Sequence, residues 1–284
     1  MKCKNCQKEI NEDFQLCKLI DSGSYSQIYS LCDFEDKKYI AKKLYEDDSE
    51  LQVCDKINNI RNVNFAKYIT TKTDKVDNRK IIIYEYIHGN NLQNTIYQKI
   101  NNNKFIRIIR NLVKQLVELE NQNYYYLDIN KSNIIVNDEK VSLIDYGTLS
   151  SIDKFIKKDD KIVATHREYF GTYGYVPPEF IIDKNICPSK FDVFSIGIIL
   201  FEYFYNFNPL SMTNYYFLEC WYWCNKDCKN NREKCLVKFM NEYRVKINDS
   251  YKYIILKCLE FDINKRISLD KLHDLLNFTC CDFY

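Results

Sequence analysis

The sequence predicts an α+β fold in which strands dominate the first third of the chain and helices the remainder. Three observations carry this. Phe14 to Leu44 and Lys80 to Ile87 are strand-like, with apolar residues in short runs broken by turn residues. Phe105, Ile108, Ile109, Leu112, Leu116 and Leu119 recur at helical spacing and mark an amphipathic helix. Between that helix and the C-terminal part, Ile134-Ile135-Val136 and Val141-Ser142-Leu143-Ile144 read as a hairpin turning at Asn137-Asp138-Glu139.

The chain has 284 residues, ample for a real core as one large domain or two lobes. Apolar residues make up 46% and aromatic residues 15%, which excludes a disordered chain. A formal net charge of +2 gives no global electrostatic case for nucleic acid or a membrane surface. No apolar run reaches a bilayer-spanning length, and the first residues, MKCKNCQKEINEDF, lack the apolar centre of a signal peptide. The expected compartment is the cytoplasm. Thirteen cysteines, an odd number, then argue for thiols or metal ligands over a disulfide framework.

In chain order, Cys3-x-x-Cys6 with Cys17 looks like the first half of a zinc ribbon. Ile20 stands where a second C-x-x-C would close the set, so the fourth Zn²⁺ ligand would come from elsewhere, for example Cys32 or Cys54; free thiols are the plainer alternative. A small-residue turn, Asp21 to Ile28 around Gly23, separates two strands. Lys42 and Lys43 follow at the end of the third strand, where alternation sends their side chains to opposite faces. Ser49 to Ile57 reads as a helix carrying Glu50 at its start. Lys80 to Ile87 is a buried strand leading to the turn His88-Gly89-Asn90-Asn91.

The hairpin is flanked by polar groups at three fixed points: Asp128, Asn133 and Asp145. An acid, an amide oxygen and a second acid suit magnesium-assisted phosphoryl transfer. One carboxylate can take the nucleophile's proton, while the amide and the other carboxylate offer hard oxygens to Mg²⁺. Farther on, Cys220, Cys224, Cys228 and Cys235 are spaced four, four and seven apart, which fits no common zinc motif and reads as core and surface thiols.

These segments, in order over about residues 14 to 276, resemble the eukaryotic-type serine/threonine protein kinase family. Tyr126-Leu127-Asp128-Ile129 to Asn133 is similar to H-R-D-L-x-x-x-N, and Asp145-Tyr146-Gly147 to D-F-G. Gly171-Thr172-Tyr173-Gly174-Tyr175-Val176-Pro177-Pro178-Glu179 is close to G-T-x-x-Y-x-A-P-E; Asp192 to Gly197 resembles D-x-x-S-x-G, and Asp262 to Ser268 resembles D-P-x-x-R-x-S. Glu179 would then be buried against Arg266, and Asp192 would bind the backbone of the Asp128 loop.

The resemblance implies a bilobal fold: a Cys-containing extension at 1–13, a small β-rich N-lobe at 14–87, and a larger, mainly helical C-lobe at 88–284. It implies ATP and Mg²⁺ as cofactors and proteins with serine or threonine hydroxyls as substrates, with no nucleic-acid or membrane partner; the motifs do not encode the oligomeric state. Asp128, Lys42 and Glu50 are the implied catalytic residues. Gly23, Ile28, Lys42, Glu85, Ile87 and Ile135 are implied to bind ATP, with Tyr84 at the back of its pocket, and Asn133 and Asp145 to bind Mg²⁺. Reading Ala41 as the alanine of A-x-K would make Lys43 the phosphate-pairing lysine instead.

Three departures matter. Asp21 and Ser26 take two of the glycine positions of the phosphate loop. Tyr126-Leu127 replaces His-Arg, so no arginine precedes Asp128 to bind a phosphorylated loop. Asn130 stands where the family has a lysine, for which Lys131 is the nearest substitute. A pseudokinase scaffold is the alternative that these departures favour.

Overall fold

The computed structural model of the chain describes residues 8–9, 15–23, 26–33, 37–45, 50–158, 161–165, 170–183, 185–210 and 249–281. The chain divides into two compact units, Met1–Gly89 with Ser142–Gly147, and Asn90–Val141 with Thr148–Tyr284. Cys3, Cys6 and the cysteines between 220 and 235 lie outside the described residues, as does the side chain of Cys17.

The first unit is built on a six-stranded sheet. Its strands are β1 (Lys8–Glu9), β2 (Gln15–Ser22), β3 (Ser26–Cys32), β4 (Lys38–Leu44), β5 (Tyr68–Thr73) and β6 (Lys80–Glu85), in the order β1-β2-β3-β4-β6-β5. All its pairings are antiparallel. β6 is an inner strand, paired with β4 and β5, and its Ile81, Ile82 and Ile83 are fully buried, as expected of a strand covered on both faces. Leu31, Tyr39, Ala41, Ile81 and Ile83 form one apolar cluster on the sheet. The short helix α1 (Leu51–Ile57) buries Val53, Cys54 and Ile57. Glu50 is its N-cap, one position before the helix and not within it.

In the second unit, β7 (Asn90–Asn91) pairs with β9 (Ile134–Asn137), which turns through Asp138 (φ 57°) toward β10 (Lys140–Leu143). Two asparagines start two helices. Asn91 Oδ1 accepts from Asn94 N at 2.8 Å to cap α2 (Leu92–Tyr97), and Asn101 Oδ1 accepts from Lys104 N at 2.9 Å to cap α3 (Asn102–Asn121). The apolar stripe of α3 is buried, and Gln115 on the same helix donates to Val141 O at 2.9 Å.

After Gly147 the chain reads only as polar, yet it forms β11 (Ser150–Ser151), which pairs with β8 (Tyr124–Tyr125), and a hairpin of β12 (Phe155–Lys158) and β13 (Lys161–Ala164). Aromatic rings at 125, 155, 170, 180 and 191 follow one another at centroid distances of 5.7 to 6.2 Å, and Phe155 and Ala164 pack against that cluster. The remaining helices are α4 (Pro178–Asp183), α5 (Pro188–Tyr205), α6 (Asp249–Cys258) and α7 (Leu269–Cys281). α5 is mostly apolar and buried, with proline at its start and Asn206 in the left-handed conformation closing it. It packs so closely on α6 that a Cβ at Gly197 would come within 2.7 Å of Cys258 Cβ. Among the described residues no helix is long and apolar enough to cross a membrane.

Arg266 is the largest fully buried side chain among the described residues. Its Nη1 and Nη2 donate to Glu179 Oε1 and Oε2 at 2.7 and 2.9 Å, and its Nε donates to Glu260 O at 2.9 Å. Such a fork-to-fork pair compensates a charge that could not otherwise be buried. Glu179→Ala leaves that guanidinium unpaired, and chemical denaturation should show a loss of about 3–5 kcal/mol.

Candidate active site

In the first unit, β4 delivers two adjacent lysines to opposite faces. Lys42 Nζ lies 2.6 Å from Glu50 Oε2 and 2.7 Å from Asp145 Oδ1. Lys43 Nζ instead meets Asp74 Oδ2 and Asp77 Oδ2, each at 2.6 Å. Of the two registers left open by the sequence, the geometry joins Lys42 to Glu50. Burial acts to lower the affinity of Lys42 for its proton, but the charges of Glu50 and then Asp145 outweigh it, so the ammonium is held above the ordinary lysine range.

Glu50 is 3% exposed, so its carboxylate is buried beside the Lys42 ammonium. Its second oxygen, Oε1, accepts from the Tyr84 hydroxyl at 2.6 Å, and its backbone carbonyl accepts from Cys54 Sγ at 3.2 Å. Burial, and next the negative charge of Glu50, push the Tyr84 phenol well above its usual range, so it remains a donor. Tyr84 also meets Tyr146 edge to face at 5.3 Å, and the Tyr146 hydroxyl donates to Ala66 O. Asp145 takes a left-handed backbone (φ 61°), and its Oδ1 also accepts from Gly147 N at 3.3 Å.

In the second unit, the loop from Tyr126 to Asn133 is fixed from within. Asp192 accepts from Tyr126 N at 3.2 Å and Leu127 N at 2.9 Å, and Leu127 is held at φ 65°, where a bulky residue is strained. Burial pushes the Asp192 carboxyl up to about 7, against the pull of those two N–H groups. Both oxygens of Asp128 are engaged. Thr172 Oγ1 donates to Oδ1 at 2.6 Å, and Asn133 Nδ2 donates to Oδ2 at 2.8 Å.

The two sequence-derived metal ligands offer hard oxygens. Asn133 spends Nδ2 on Asp128, which turns its amide oxygen the other way, and the Asp145 side chain is 44% exposed. No cluster of three or more His, Cys, Asp or Glu suited to a metal occurs among the described residues. Asn133 and Asp145 are each a hard oxygen donor of the kind Mg²⁺ takes. Cys54, one of the two thiols considered as a fourth zinc ligand, is instead buried against Glu50 and Tyr84.

Among the implied ATP contacts, a Cβ on Gly23 would meet nothing within 4 Å, and Ile28 lies directly across from Lys42 between β3 and β4. Glu85 donates its N–H to Lys67 O at 2.9 Å, leaving that N–H unavailable to a ligand; Ile87 is half-buried. Ile135, on β9, is half-buried and sits opposite Asn91. Lys131, the nearest substitute for the missing lysine, has its Nζ 3.2 Å from Glu202 Oε2. Sequence reasoning missed two polar partners, the Tyr84 hydroxyl on Glu50 and the Asn130 amide on Asp128. A tyrosine within an isoleucine-rich buried strand was the available signal for the first, because a buried hydroxyl needs a partner.

The family model described as protein kinase domain matches residues 14–276. Serine/threonine-protein kinase tousled-like 1 of Caenorhabditis elegans is 24% identical over 226 residues, covering 72% of this chain and 23% of that protein. Probable serine/threonine-protein kinase fnkE of Dictyostelium discoideum is 24% identical over 293 residues, covering 94% of this chain and 20% of that protein. The human tousled-like 1 kinase is 25% identical over 228 residues, covering 70% of this chain and 29% of that protein. The chain thus spans less than a third of the length of these relatives.

Removing only the Tyr84 hydroxyl deprives a buried carboxylate of a short hydrogen bond. Tyr84→Phe should lower stability by about 2 kcal/mol, the scale of a bond to a charged group, as read from the denaturation midpoint at constant m.

Proposed function

This chain belongs to the protein kinase family, and from that premise we propose that it is an active enzyme moving the γ-phosphate of ATP to serine or threonine hydroxyls of proteins. The observation that carries this reading is the buried Lys42–Glu50 pair with Asp145 beside it. Desolvating the two charges of Lys42 and Glu50 is costly, and a non-catalytic scaffold could fill the same space more stably with apolar side chains. A cation poised on a strand for phosphate oxygens explains why the charges are retained.

The roles are assigned residue by residue. Lys42, oriented by Glu50, binds the ATP phosphates. Gly23, Ile28, Ile135, the Glu85 carbonyl and the Ile87 backbone bind the nucleotide. Asn133 and Asp145 would hold Mg²⁺, which supplies positive charge for the phosphates when bound. Asp128, fixed by Thr172 and Asn133, accepts the proton of the attacking hydroxyl. The proposed lobes run from 14 to 87 and from 88 to 284, and the proposed compartment is the cytoplasm.

The hairpin of β12 and β13 supports an active segment that needs no phosphate. Ile162 is tied in both directions, its N–H to Asn185 Oδ1 at 3.0 Å and its carbonyl from Ile186 N at 2.8 Å. Thr165, the exposed candidate phosphosite, donates from both its N–H and its hydroxyl to Lys154 O at 2.9 and 3.2 Å. Aromatic packing and these bonds do the ordering that a phosphate–arginine pair would otherwise do.

Incubation with labelled ATP and Mg²⁺, followed by phosphoamino-acid analysis, should yield phosphoserine or phosphothreonine. Asp128→Asn should reduce the rate by about a hundredfold or more. ATP binding with no transfer would favour the scaffold. Thr165→Ala should keep transfer within about threefold of wild type, because no phosphate at that position is required; collapse of activity would refute the phosphate-independent segment.

A further inference from the structure

Asn130 is 5% exposed and lies at the centre of the Asp128 loop. Its Nδ2 approaches three acceptors: Asp128 O at 3.2 Å, Asp128 Oδ1 at 3.1 Å and Thr172 Oγ1 at 3.0 Å. Its Oδ1 accepts from Ser132 N at 2.9 Å and Asn133 N at 3.2 Å. One amide therefore touches the carboxylate assigned as proton acceptor, the hydroxyl that also binds that carboxylate, and the backbone of the assigned metal ligand. No ammonium group could reproduce this, since lysine has donors only. The nearest lysine, Lys131, pairs with Glu202, whose Oε2 also accepts from the Tyr175 hydroxyl at 2.8 Å.

We propose that Asn130 is a positioning residue that sets the Asp128 carboxylate through its amide donors, and that this loop works without a lysine at the transferred phosphate. The inference rests on the reading of Asp128 as the proton acceptor. Donation from Nδ2 to Asp128 Oδ1 and Thr172 Oγ1 fixes the rotation of the carboxylate, while acceptance by Oδ1 fixes the turn that carries Asn133. The first task requires the NH₂ group; the second requires only an oxygen. These tasks can be separated by substitution.

Asn130→Asp keeps the oxygen for Ser132 N and Asn133 N but removes both donors. Steady-state transfer from ATP should show kcat reduced by about a hundredfold, the scale expected of a misplaced reacting group, with KM for ATP close to wild type, while the thermal midpoint should fall because the new carboxylate faces Asp128 Oδ1. Thr172→Ala should cost less in the Asn130→Asp background than in the wild type, because both act through Asp128 Oδ1. Lys131→Ala should leave kcat near wild type. An Asn130→Asp variant with wild-type kcat, or strictly additive losses with Thr172→Ala, would overturn the inference while leaving the enzyme reading intact. A loss for Lys131→Ala as large as that for Asn130→Asp would assign the position to the lysine and overturn it as well. Absence of turnover in the wild type would overturn both.

Discussion

A lysine that must stay charged inside a sheet constrains the first unit more than any other group. Lys42 points inward from β4, and its ammonium is tolerable there only because two carboxylates lie within 2.7 Å. Each carboxylate needs its own support. Glu50 obtains it from the Tyr84 hydroxyl, and Tyr84 is itself buried on β6. Asp145 depends on a left-handed backbone just after Leu143, whose N–H and C=O are both bonded, to Asn64 O at 2.8 Å and from Ala66 N at 3.2 Å. Removing any of these supports leaves a buried charge short of a partner, which costs more than the net worth of the contact itself.

The second unit applies the same rule to backbone groups. A loop that presents Asp128 cannot form regular secondary structure, so its N–H groups need side-chain acceptors. Asp192 supplies two and Asn130 two more. Asp192 can do this because α5 is mostly apolar and buried, while Arg266 ties Glu179 on α4 and the Lys190 carbonyl at the start of α5 to the loop before α7. Burying so many polar groups is affordable only when nearly all are satisfied, and the density of bonds around Asp128 reflects that.

Much of this was legible in the sequence. The buried strand at 80–85, the amphipathic helix and the hairpin strands follow from hydrophobic periodicity, which burial of one face enforces. Alternation along β4 was enough to send Lys42 and Lys43 to different partners. The partners of Asp192 and Arg266 were legible through the resemblance to D-x-x-S-x-G and D-P-x-x-R-x-S, and for Asp192 also because a carboxylate on an apolar helix needs a partner. The hairpin of β12 and β13 was not legible, since its order comes from Phe155 packing against residues distant in sequence. Nor was the fate of Lys131: its neighbour Glu202 lies 71 positions away on α5, and no local pattern links the two. In sequence Asn130 is only a missing cation, because its five contacts are made by the folded loop and by Thr172, 42 positions away.

The most direct test of the central claim, that a functional cation is held by Glu50 and Asp145, compares Lys42→Met with Lys43→Met. ATP-dependent phosphate transfer would be measured per folded molecule, with the folded fraction fixed by circular dichroism. Loss of about a hundredfold or more in Lys42→Met, with Lys43→Met retaining most of its turnover, is the predicted result. Equal losses in the two variants, or transfer that survives in Lys42→Met, would contradict it.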